Sequence, residues 1–270
     1  MVNFVRNFLI FFLWGLGLPV MAAEVNLDPL FSKYHVKGSI VIYDVHKDQW
    51  IYSNEADANL ATIPASTFKI VNALIALEEQ AVTYEEVMAW DGKDKMFKGN
   101  RIQSWNADTH LAAAFKNSTI WFFVELSKRI PRATYASYLK TLDYGNLDLG
   151  ERGDDFWNYG NMAVSPKNQV VFLHKLYQGQ LPFQNQHMER VKSLMHIETN
   201  EAYQLSGKSG WGSKDGQEIG WLVGVLQSNQ QAYVYATRVV VDSEQVPKNF
   251  GKLRSLLTIE AFQQLNLIPQ

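Results

Sequence analysis

The stretch Pro64-Ala65-Ser66-Thr67-Phe68-Lys69-Ile70-Val71 opens an apolar run that continues to Leu77. Proline disfavours a helix before it and serine is common at a helix start, so we expect a helix that begins at Ser66. Ser66 and Lys69 then lie one turn apart on the same face. A hydroxyl beside an amine in apolar surroundings is typical of a serine nucleophile with a lysine base. S-x-x-K is a loose pattern, however, and a capping serine with a surface lysine remains the plainer interpretation.

Composition excludes several classes of function. Of 270 residues, 47% are hydrophobic and 13% aromatic, which favours a well-cored protein of one or two domains. The formal net charge of -2 offers no basic field for nucleic acid. The absence of cysteine excludes disulfides and thiol catalysis. The six histidines form neither H-x-H nor H-E-x-x-H, so we expect no metal site.

Residues 1–23 have the layout of a secretory signal peptide. Arg6 is followed by an apolar segment from Phe8 to Leu18 and a small-residue region that ends at Ala22-Ala23. The apolar segment is short for a membrane span, although an uncleaved anchor is the alternative. We therefore expect cleavage near Ala22 or Ala23 and a periplasmic or secreted protein that has no membrane contact afterwards.

Strand patterns occur near both ends of the chain, and helical patterns lie between them. Near the start, β-branched and aromatic residues predict a hairpin, and near the end they predict three strands: 38–43, 49–53, 203–210, 219–226 and 232–241. Apolar residues at helical spacing predict helices over most of 72–148, with breaks at 91–100 and 145–159, and in three later segments: 169–178, 187–196 and 253–265.

This order predicts an α+β protein with a central antiparallel sheet built from both chain ends. Helices flank the sheet, and an all-helical domain is inserted between its two parts. Residues 24–270 form this unit, with the sheet part at about 24–65 and 200–270 and the helical part at about 66–199. We expect a functional site at the seam between the two parts.

Three short motifs follow Ser66 and Lys69 in a fixed order: Ser118-Thr119-Ile120, Tyr144-Gly145-Asn146 and Lys208-Ser209-Gly210. Each one alone is weak, because short motifs have high false-positive rates. In this order and behind S-T-F-K, they resemble the class D (oxacillinase-type) β-lactamases of the penicillin-recognising serine enzymes. The resemblance runs from Gly38 to the C-terminus and is carried by further short stretches: Trp105-Asn106, Asn117-Ser118, Trp121, Asp143, Phe156-Trp157, 172–177 and Gly220-Trp221.

The resemblance implies a serine β-lactamase that hydrolyses β-lactam antibiotics through an acyl-enzyme and so confers resistance. Ser66, Lys69 and Ser118 would form the catalytic set. The backbone N–H groups of Ser66 and Trp211 would form the oxyanion hole. The substrate carboxylate would be held by the Lys208-Ser209-Gly210 motif and by an arginine.

That arginine matches Arg254, although a solvated helix arginine is the alternative. Trp105 matches an aromatic residue at the rim of the site, but it could equally pack against the helical domain. The partners implied are small-molecule β-lactams, with the protein a monomer or a homodimer.

Lys69 has a further expected role. Burial lowers the pKa of a lysine, and the resemblance implies that the neutral amine takes up carbon dioxide to become an N-carboxylated lysine, the general base. No other cofactor is implied. Ile120 would supply an apolar wall, and the Trp157 indole N–H would hold the carbamate; plain packing is the alternative for Trp157. The family usually has leucine where this chain has Asn158, which could wet the pocket or ease the entry of water.

Three other functions remain open. The first is a penicillin-binding sensor domain, which is acylated but does not turn over. The second is a D,D-peptidase that acts on cell-wall peptides, and the third is a catalytically dead binding module. The apolar Ile120 argues against class A enzymes, which have S-D-N at the corresponding motif. The preserved Ser66, Lys69, Ser118 and Lys208 argue against a dead module.

Overall fold

The structure, a computed structural model, describes residues 22–150 and 153–270. The predicted signal peptide lies almost wholly outside this range, so its cleavage stays a prediction. Among the described residues, no helix is long and apolar enough to cross a membrane.

The strands are numbered in chain order: β1 Ala22–Glu24, β2 Lys37–Asp44, β3 Gln49–Tyr52, β4 Val87–Met88, β5 Met96–Phe97, β6 Asn100–Arg101, β7 Thr109–His110, β8 His196–Thr199, β9 Tyr203–Lys214, β10 Gln217–Ser228 and β11 Gln231–Asp242. The helices follow the same convention: α1 Asp28–Lys33, α2 Glu55–Ala58, α3 Lys69–Glu78, α4 Leu111–Lys116, α5 Ile120–Arg129, α6 Arg132–Leu142, α7 Phe156–Tyr159, α8 Pro166–Tyr177, α9 Asn185–Leu194 and α10 Phe250–Gln264. Short 3-10 helices span Ala65–Phe68, Gln103–Trp105 and Ser243–Gln245.

The main sheet has the strand order β1-β3-β2-β11-β10-β9-β8. Neighbouring strands are antiparallel except β1, which pairs in parallel with β3 at the edge. Strands from the start of the chain meet those from its end where β2 pairs with β11. The predicted fold class, with a central antiparallel sheet built from both chain ends, is confirmed.

Strand β10 lies inside the sheet and is buried on both faces, as its nearly continuous apolar run requires. Trp221 and Val223 pack into the core shared with α8 and the inserted helices. Leu222 and Leu226 point to the opposite side, where they pack with α1 and α10. The sheet is therefore a rigid platform covered by helices on both faces.

The inserted part is less helical than its pattern predicts. The helical prediction is wrong over 79–90 and 101–110, because residues 79–110 contain two short ladders, β4 with β7 and β5 with β6, and a 3-10 turn. Residues 91–100 were predicted as a break, and Gly92 and Gly99 adopt positive φ angles of 74° and 78° there.

The helix predicted from Ala112 to Ser127 is also interrupted. Helix α4 ends at Lys116, and Ser118 adopts a φ of 56° before α5 begins. This left-handed residue breaks the helix. Strand β8 begins at His196, which was predicted to be the last residue of a helix.

Candidate active site

Ser66 lies in the 3-10 turn that leads into α3. The alternative interpretation of Ser66 as a capping residue does not hold, because Ser66 makes no side-chain cap and Pro64 stands at the cap position. Thr67 Oγ1 donates to the Pro64 carbonyl at 2.7 Å and holds the turn closed. Ala65 adopts a φ of 48°, a strained conformation for a residue other than glycine. This strained residue directly precedes Ser66, whose hydroxyl forms a hydrogen bond with another side chain instead of capping the helix.

That partner is Lys69, whose Nζ donates to Ser66 Oγ at 2.6 Å. Lys69 is 0% exposed. Burial holds the pKa of its amine well below the ordinary value, and the nearby charge of Lys208 lowers it further, while Asp155 acts in the opposite direction. A lowered pKa favours the neutral amine, which is the form that can accept the proton of the serine hydroxyl.

Aromatic rings make the walls around Lys69 apolar. Its Nζ lies 5.4 Å from the ring centroid of Phe123. On the neighbouring residue, the Phe68 ring stacks on Trp157 with centroids 5.5 Å apart. Trp157 is fully buried on α7, and its indole Nε1 has no hydrogen-bond partner in the part of the chain that the structure describes. Lys69 therefore has aromatic neighbours, and close to them lies a buried donor without an acceptor among the described residues.

Ser118 and Lys208 meet next to this pair. Lys208 lies on β9, and its Nζ donates to Ser118 Oγ at 3.0 Å and to the Ser209 carbonyl at 3.0 Å. Lys208 is buried, and burial together with the charge of Arg254 lowers its pKa to about 7. Its amine therefore changes charge near neutral pH, which suits a group that passes protons to and from Ser118.

Strand β9 runs directly against the Ser66 turn because the residues that face the turn, Gly210 and Gly212, are glycines. A Cβ at Gly210 would lie 3.1 Å from the Pro64 carbonyl oxygen and 3.4 Å from the Ser66 backbone nitrogen. A Cβ at Gly212 would lie 2.7 Å from the Ile63 side chain. Trp211 stands between these glycines, so its backbone is held beside that of Ser66.

Arg254 lies on α10 with its guanidinium largely buried. The Nε and Nη1 atoms have no hydrogen-bond partner among the described residues. Burial lowers its pKa to about 10, which leaves it charged at neutral pH. A buried cation without a counter-ion is costly, and an anionic ligand would satisfy it.

Trp105 is buried and also lines a cavity, while its role at the rim of a substrate site stays a prediction. It is 6% exposed, and its indole donates to the Asn117 carbonyl at 2.9 Å, which braces the turn that carries Ser118. It also lines a cavity of about 690 Å³ together with Ile120, Asn158 and Trp211. A second cavity, of about 550 Å³, borders Lys208 and Ser209. Both have the size of small-molecule sites.

The Tyr144 motif lies behind the site instead of in it. Tyr144 OH donates to Gln169 Oε1 at 3.2 Å, and Gln169 Nε2 donates to Thr67 Oγ1 at 2.8 Å. This buried chain supports the Ser66 turn from the side opposite the cleft. Gln169 was not predicted, although a polar residue on the apolar face of α8 is the signal that could have revealed it. Within the described residues, no group of three acidic or histidine side chains could hold a metal ion.

A family model, the penicillin binding protein transpeptidase domain, matches residues 38–255. The "Probable beta-lactamase YbxI" of Bacillus subtilis is 35% identical over 247 residues, which are 91% of this chain and 86% of that protein. A crystal structure of a class D β-lactamase from Sebaldella termitidis aligns with a TM-score of 0.86 and 36% identity, covering 92% of this chain and 99% of that one. The chain belongs to the class D β-lactamase family.

A sensor domain shares the fold of this class D β-lactamase. The C-terminal domain of the Bacillus licheniformis BlaR penicillin receptor aligns with a TM-score of 0.84 at 27% identity, covering 93% of this chain and all of that one. The overall fold is therefore common to enzymes and a receptor, and only the chemistry of the site distinguishes them.

Proposed function

We propose that the protein hydrolyses β-lactam antibiotics through an acyl-enzyme on Ser66 and thereby confers resistance. The observation that carries this proposal is the 2.6 Å hydrogen bond between Lys69 Nζ and Ser66 Oγ at the bottom of an apolar pocket. Serine becomes a nucleophile when a neighbouring base removes its proton. Lys69 is placed for that task, and its lowered pKa favours the neutral form that acts as a base. The class D relatives support the same assignment.

Acylation follows from the groups around Ser66. Its Oγ attacks the lactam carbonyl carbon while Lys69 takes the proton. The backbone N–H groups of Ser66 and Trp211 stabilise the negative charge that develops on the carbonyl oxygen. The carbon–nitrogen bond of the ring then breaks, and Ser118 passes a proton from Lys208 to the ring nitrogen. Lys208 regains a proton as Lys69 gives up the one it took from Ser66, so Lys69 is a base again. Lys69 then removes a proton from the water that attacks the ester, and this proton passes to Ser66 Oγ as the ester bond breaks and the opened product leaves.

The other end of the substrate carries a carboxylate. Lys208 and the unpaired Arg254 supply positive charge for it, and Ser209 supplies a hydroxyl donor. Gly210 brings β9, and with it Lys208 and Ser209, close to the Ser66 turn, because a side chain at Gly210 would collide with that turn. This anchor fixes the lactam ring over Ser66.

We further propose that Lys69 is carboxylated. The neutral amine adds to carbon dioxide with loss of one proton, which gives an N-carboxylated side chain. The residues present fit this group, since the Trp157 Nε1 donor is buried next to Phe68 without an acceptor. An unsatisfied buried donor costs free energy, which a carboxylate oxygen on Lys69 would recover. The apolar Phe123 and Ile120 favour the uncharged amine from which the group forms.

Export to the periplasm or the medium is part of the proposal, with the signal peptide removed near Ala22 or Ala23. Mass spectrometry of protein recovered from the periplasm would then give a mature chain that begins near Glu24. Recovery of the unprocessed chain in the membrane fraction would support the uncleaved anchor instead.

The test of function uses a chromogenic cephalosporin with purified protein, in bicarbonate-free buffer and with added bicarbonate. We expect sustained turnover that rises with bicarbonate, and no turnover by Ser66→Ala. A mass increase equal to one substrate, lost in Ser66→Ala, identifies the acyl-enzyme. Absence of both turnover and the mass increase would contradict the proposal.

A penicillin sensor is the second candidate, favoured by the similarity to the BlaR domain. A sensor would bind one equivalent of cephalosporin in a single burst and then stop. The same experiment therefore separates the two functions, because an enzyme continues after the first equivalent. Sustained turnover would exclude the sensor.

A further inference from the structure

The strands β5 and β6 form a small hairpin, defined here as residues 94–101, at the edge of the larger cavity. Its two turn residues, Lys98 and Gly99, both have positive φ angles, 50° and 78°. Such tight turns strongly prefer Asn-Gly, and a lysine at the first position is strained. Lys98 is therefore held in this conformation by contacts made elsewhere.

Those contacts reach across the cleft to the main sheet. Lys98 Nζ donates to both carboxylate oxygens of Glu218 on β10, at 2.7 and 2.8 Å, and also to Ser213 Oγ. Glu218 is only 6% exposed and accepts a further hydrogen bond from Ser213 at 2.6 Å. Burial alone would raise the pKa of Glu218, but the hydrogen bonds from Lys98, Ser213 and Trp211 outweigh it and leave the pKa below its ordinary value.

The ion pair also fixes Trp211. The indole N–H of Trp211 donates to Glu218, and its ring packs against Phe97 of the hairpin on one side and Phe250 of α10 on the other. The centroid distances are 5.6 and 5.2 Å. Phe97 in turn touches Trp105, at 5.9 Å. Hairpin and sheet are thus joined at the cavity by the polar contacts of Lys98 and by the contact between the Phe97 and Trp211 rings.

The position of the contact between Lys98 and Glu218 determines which part of a bound substrate it can affect. A β-lactam whose carboxylate lies at Lys208 and Arg254, and whose carbonyl lies at Ser66 and Trp211, must direct its acyl side chain away from the carboxylate end. The space on that side is the cavity of about 690 Å³ that Phe97, Lys98 and Trp105 line. A bulky side chain would need the hairpin to move outward.

Opening the hairpin has a defined cost. It would leave the buried Glu218 carboxylate without its cation, and a buried charge that loses its partner is strongly destabilised. A different ion pair, Arg101 with Asp94 at 2.8 Å, lies within the hairpin and is exposed. That pair does not connect the hairpin to the sheet.

We infer that the Lys98–Glu218 ion pair is a latch that holds the hairpin 94–101 closed over the cavity, positions Trp211, and selects β-lactams by the size of the acyl side chain. The latch rests on the proposed function. Lys98 and Glu218 act through the hairpin and Trp211, and are positioning residues.

The test compares two penicillins that share the same ring system, one with a small acyl side chain and one with a bulky one. In Lys98→Met we expect kcat/KM for the bulky substrate, relative to the small one, to rise about tenfold, equivalent to about 1.4 kcal/mol. The gain should lie mainly in KM. Glu218→Gln, which keeps one acceptor oxygen, replaces the other by an amide donor and removes the charge, should shift the ratio in the same direction.

Two variants serve as controls. Arg101→Met removes a cation and an ion pair from the same hairpin but leaves the contact between the hairpin and the sheet in place. The ratio of kcat/KM between the bulky and the small penicillin should therefore stay as in the wild type. Lys98→Arg keeps the charge and should restore most of the selectivity. An unchanged ratio in a folded Lys98→Met protein, or an equal shift in Arg101→Met, would overturn the inference.

Hydrogen exchange tests the latch without substrate. Amides of residues 94–101 should exchange faster in Lys98→Met than in Arg101→Met. Faster exchange together with an unchanged ratio of kcat/KM between the two penicillins would overturn the role of the ion pair in substrate selection. Unchanged exchange would overturn the latch itself. If the wild type hydrolysed no β-lactam, the proposed function would fail, and the exchange data would still decide whether the latch exists.

Discussion

Replacing Trp157 by phenylalanine isolates the hydrogen bond that would stabilise carboxylated Lys69. Phenylalanine keeps an aromatic ring stacked on Phe68 but removes the indole N–H. In the structure this N–H is fully buried and has no acceptor among the described residues. The substitution therefore removes a donor whose acceptor, in the proposed function, is the carboxyl group on Lys69.

The size of the effect follows from the type of bond. A hydrogen bond to a charged group contributes about 1.5–3 kcal/mol, so Lys69 should lose affinity for carbon dioxide by about 10- to 150-fold. The uncarboxylated protein should be little affected, because in that state the donor was unsatisfied. The smaller ring leaves a cavity that lowers stability, which thermal unfolding measures separately.

The assay is a bicarbonate titration of β-lactamase activity at fixed pH. The half-saturating bicarbonate concentration should rise by about 10- to 150-fold in Trp157→Phe, because that concentration reports the affinity of Lys69. Activity at saturating bicarbonate should largely recover. Trp90→Phe is a matched control, since the Trp90 indole donates to the Lys93 carbonyl at an exposed site. A fall in activity that bicarbonate does not reverse, or an unchanged titration, would refute the reasoning.

Three further predictions address the remaining groups of the site. Asn158→Leu removes a buried amide whose Nδ2 has no partner in the described chain, so we expect higher thermal stability. We also expect slower deacylation, because the polar group that favours water entry is lost; less acyl-enzyme at steady state than in the wild type would contradict this. Lys208 has a pKa of about 7 and loses its charge as the pH rises through that value, so KM for anionic β-lactams should increase above pH 7. A KM that is flat from about pH 6 to 8.5 would contradict the role of Lys208 in binding the substrate carboxylate. Arg254→Met should raise KM about tenfold or more and leave kcat largely unchanged, since the lost charge-assisted contact to the carboxylate contributes about 1.5–3 kcal/mol to binding; a selective loss of kcat would indicate another role.

Much of the fold was predictable because strand signals are local. The hairpin β2–β3 and the strands β9, β10 and β11 follow β-branched and aromatic runs, and all five were predicted close to their observed bounds. The inserted part was harder, because apolar spacing between 72 and 148 is compatible with helix where turns actually interrupt it. The left-handed Ser118 has no sequence signal of its own.

The site was predictable as far as short motifs reach. Ser66 with Lys69 and Ser118 with Lys208 were named from sequence, and the structure brings each pair within hydrogen-bond distance. Their catalytic roles stay predictions. Contacts between distant residues were not predictable, because nothing local to Lys98 points to Glu218, 120 positions away.

Asp155 is a similar case. The stretch around Lys69 shows no acidic neighbour, yet Asp155 acts on the pKa of Lys69 through space. The burial of Lys69 and the charge of Lys208 outweigh it. Only the packing of α7 against the Ser66 turn brings this carboxylate near the amine.

The most direct test of the central claim observes Lys69 itself. Protein equilibrated with ¹³C-labelled bicarbonate should give a carbamate resonance in the ¹³C NMR spectrum at neutral pH. The resonance should be absent from Lys69→Ala, which should also have lost β-lactam turnover. Wild-type protein that hydrolyses a β-lactam at full rate but gives no carbamate resonance would contradict carboxylation, and turnover by Lys69→Ala at the wild-type rate would contradict Lys69 as the base.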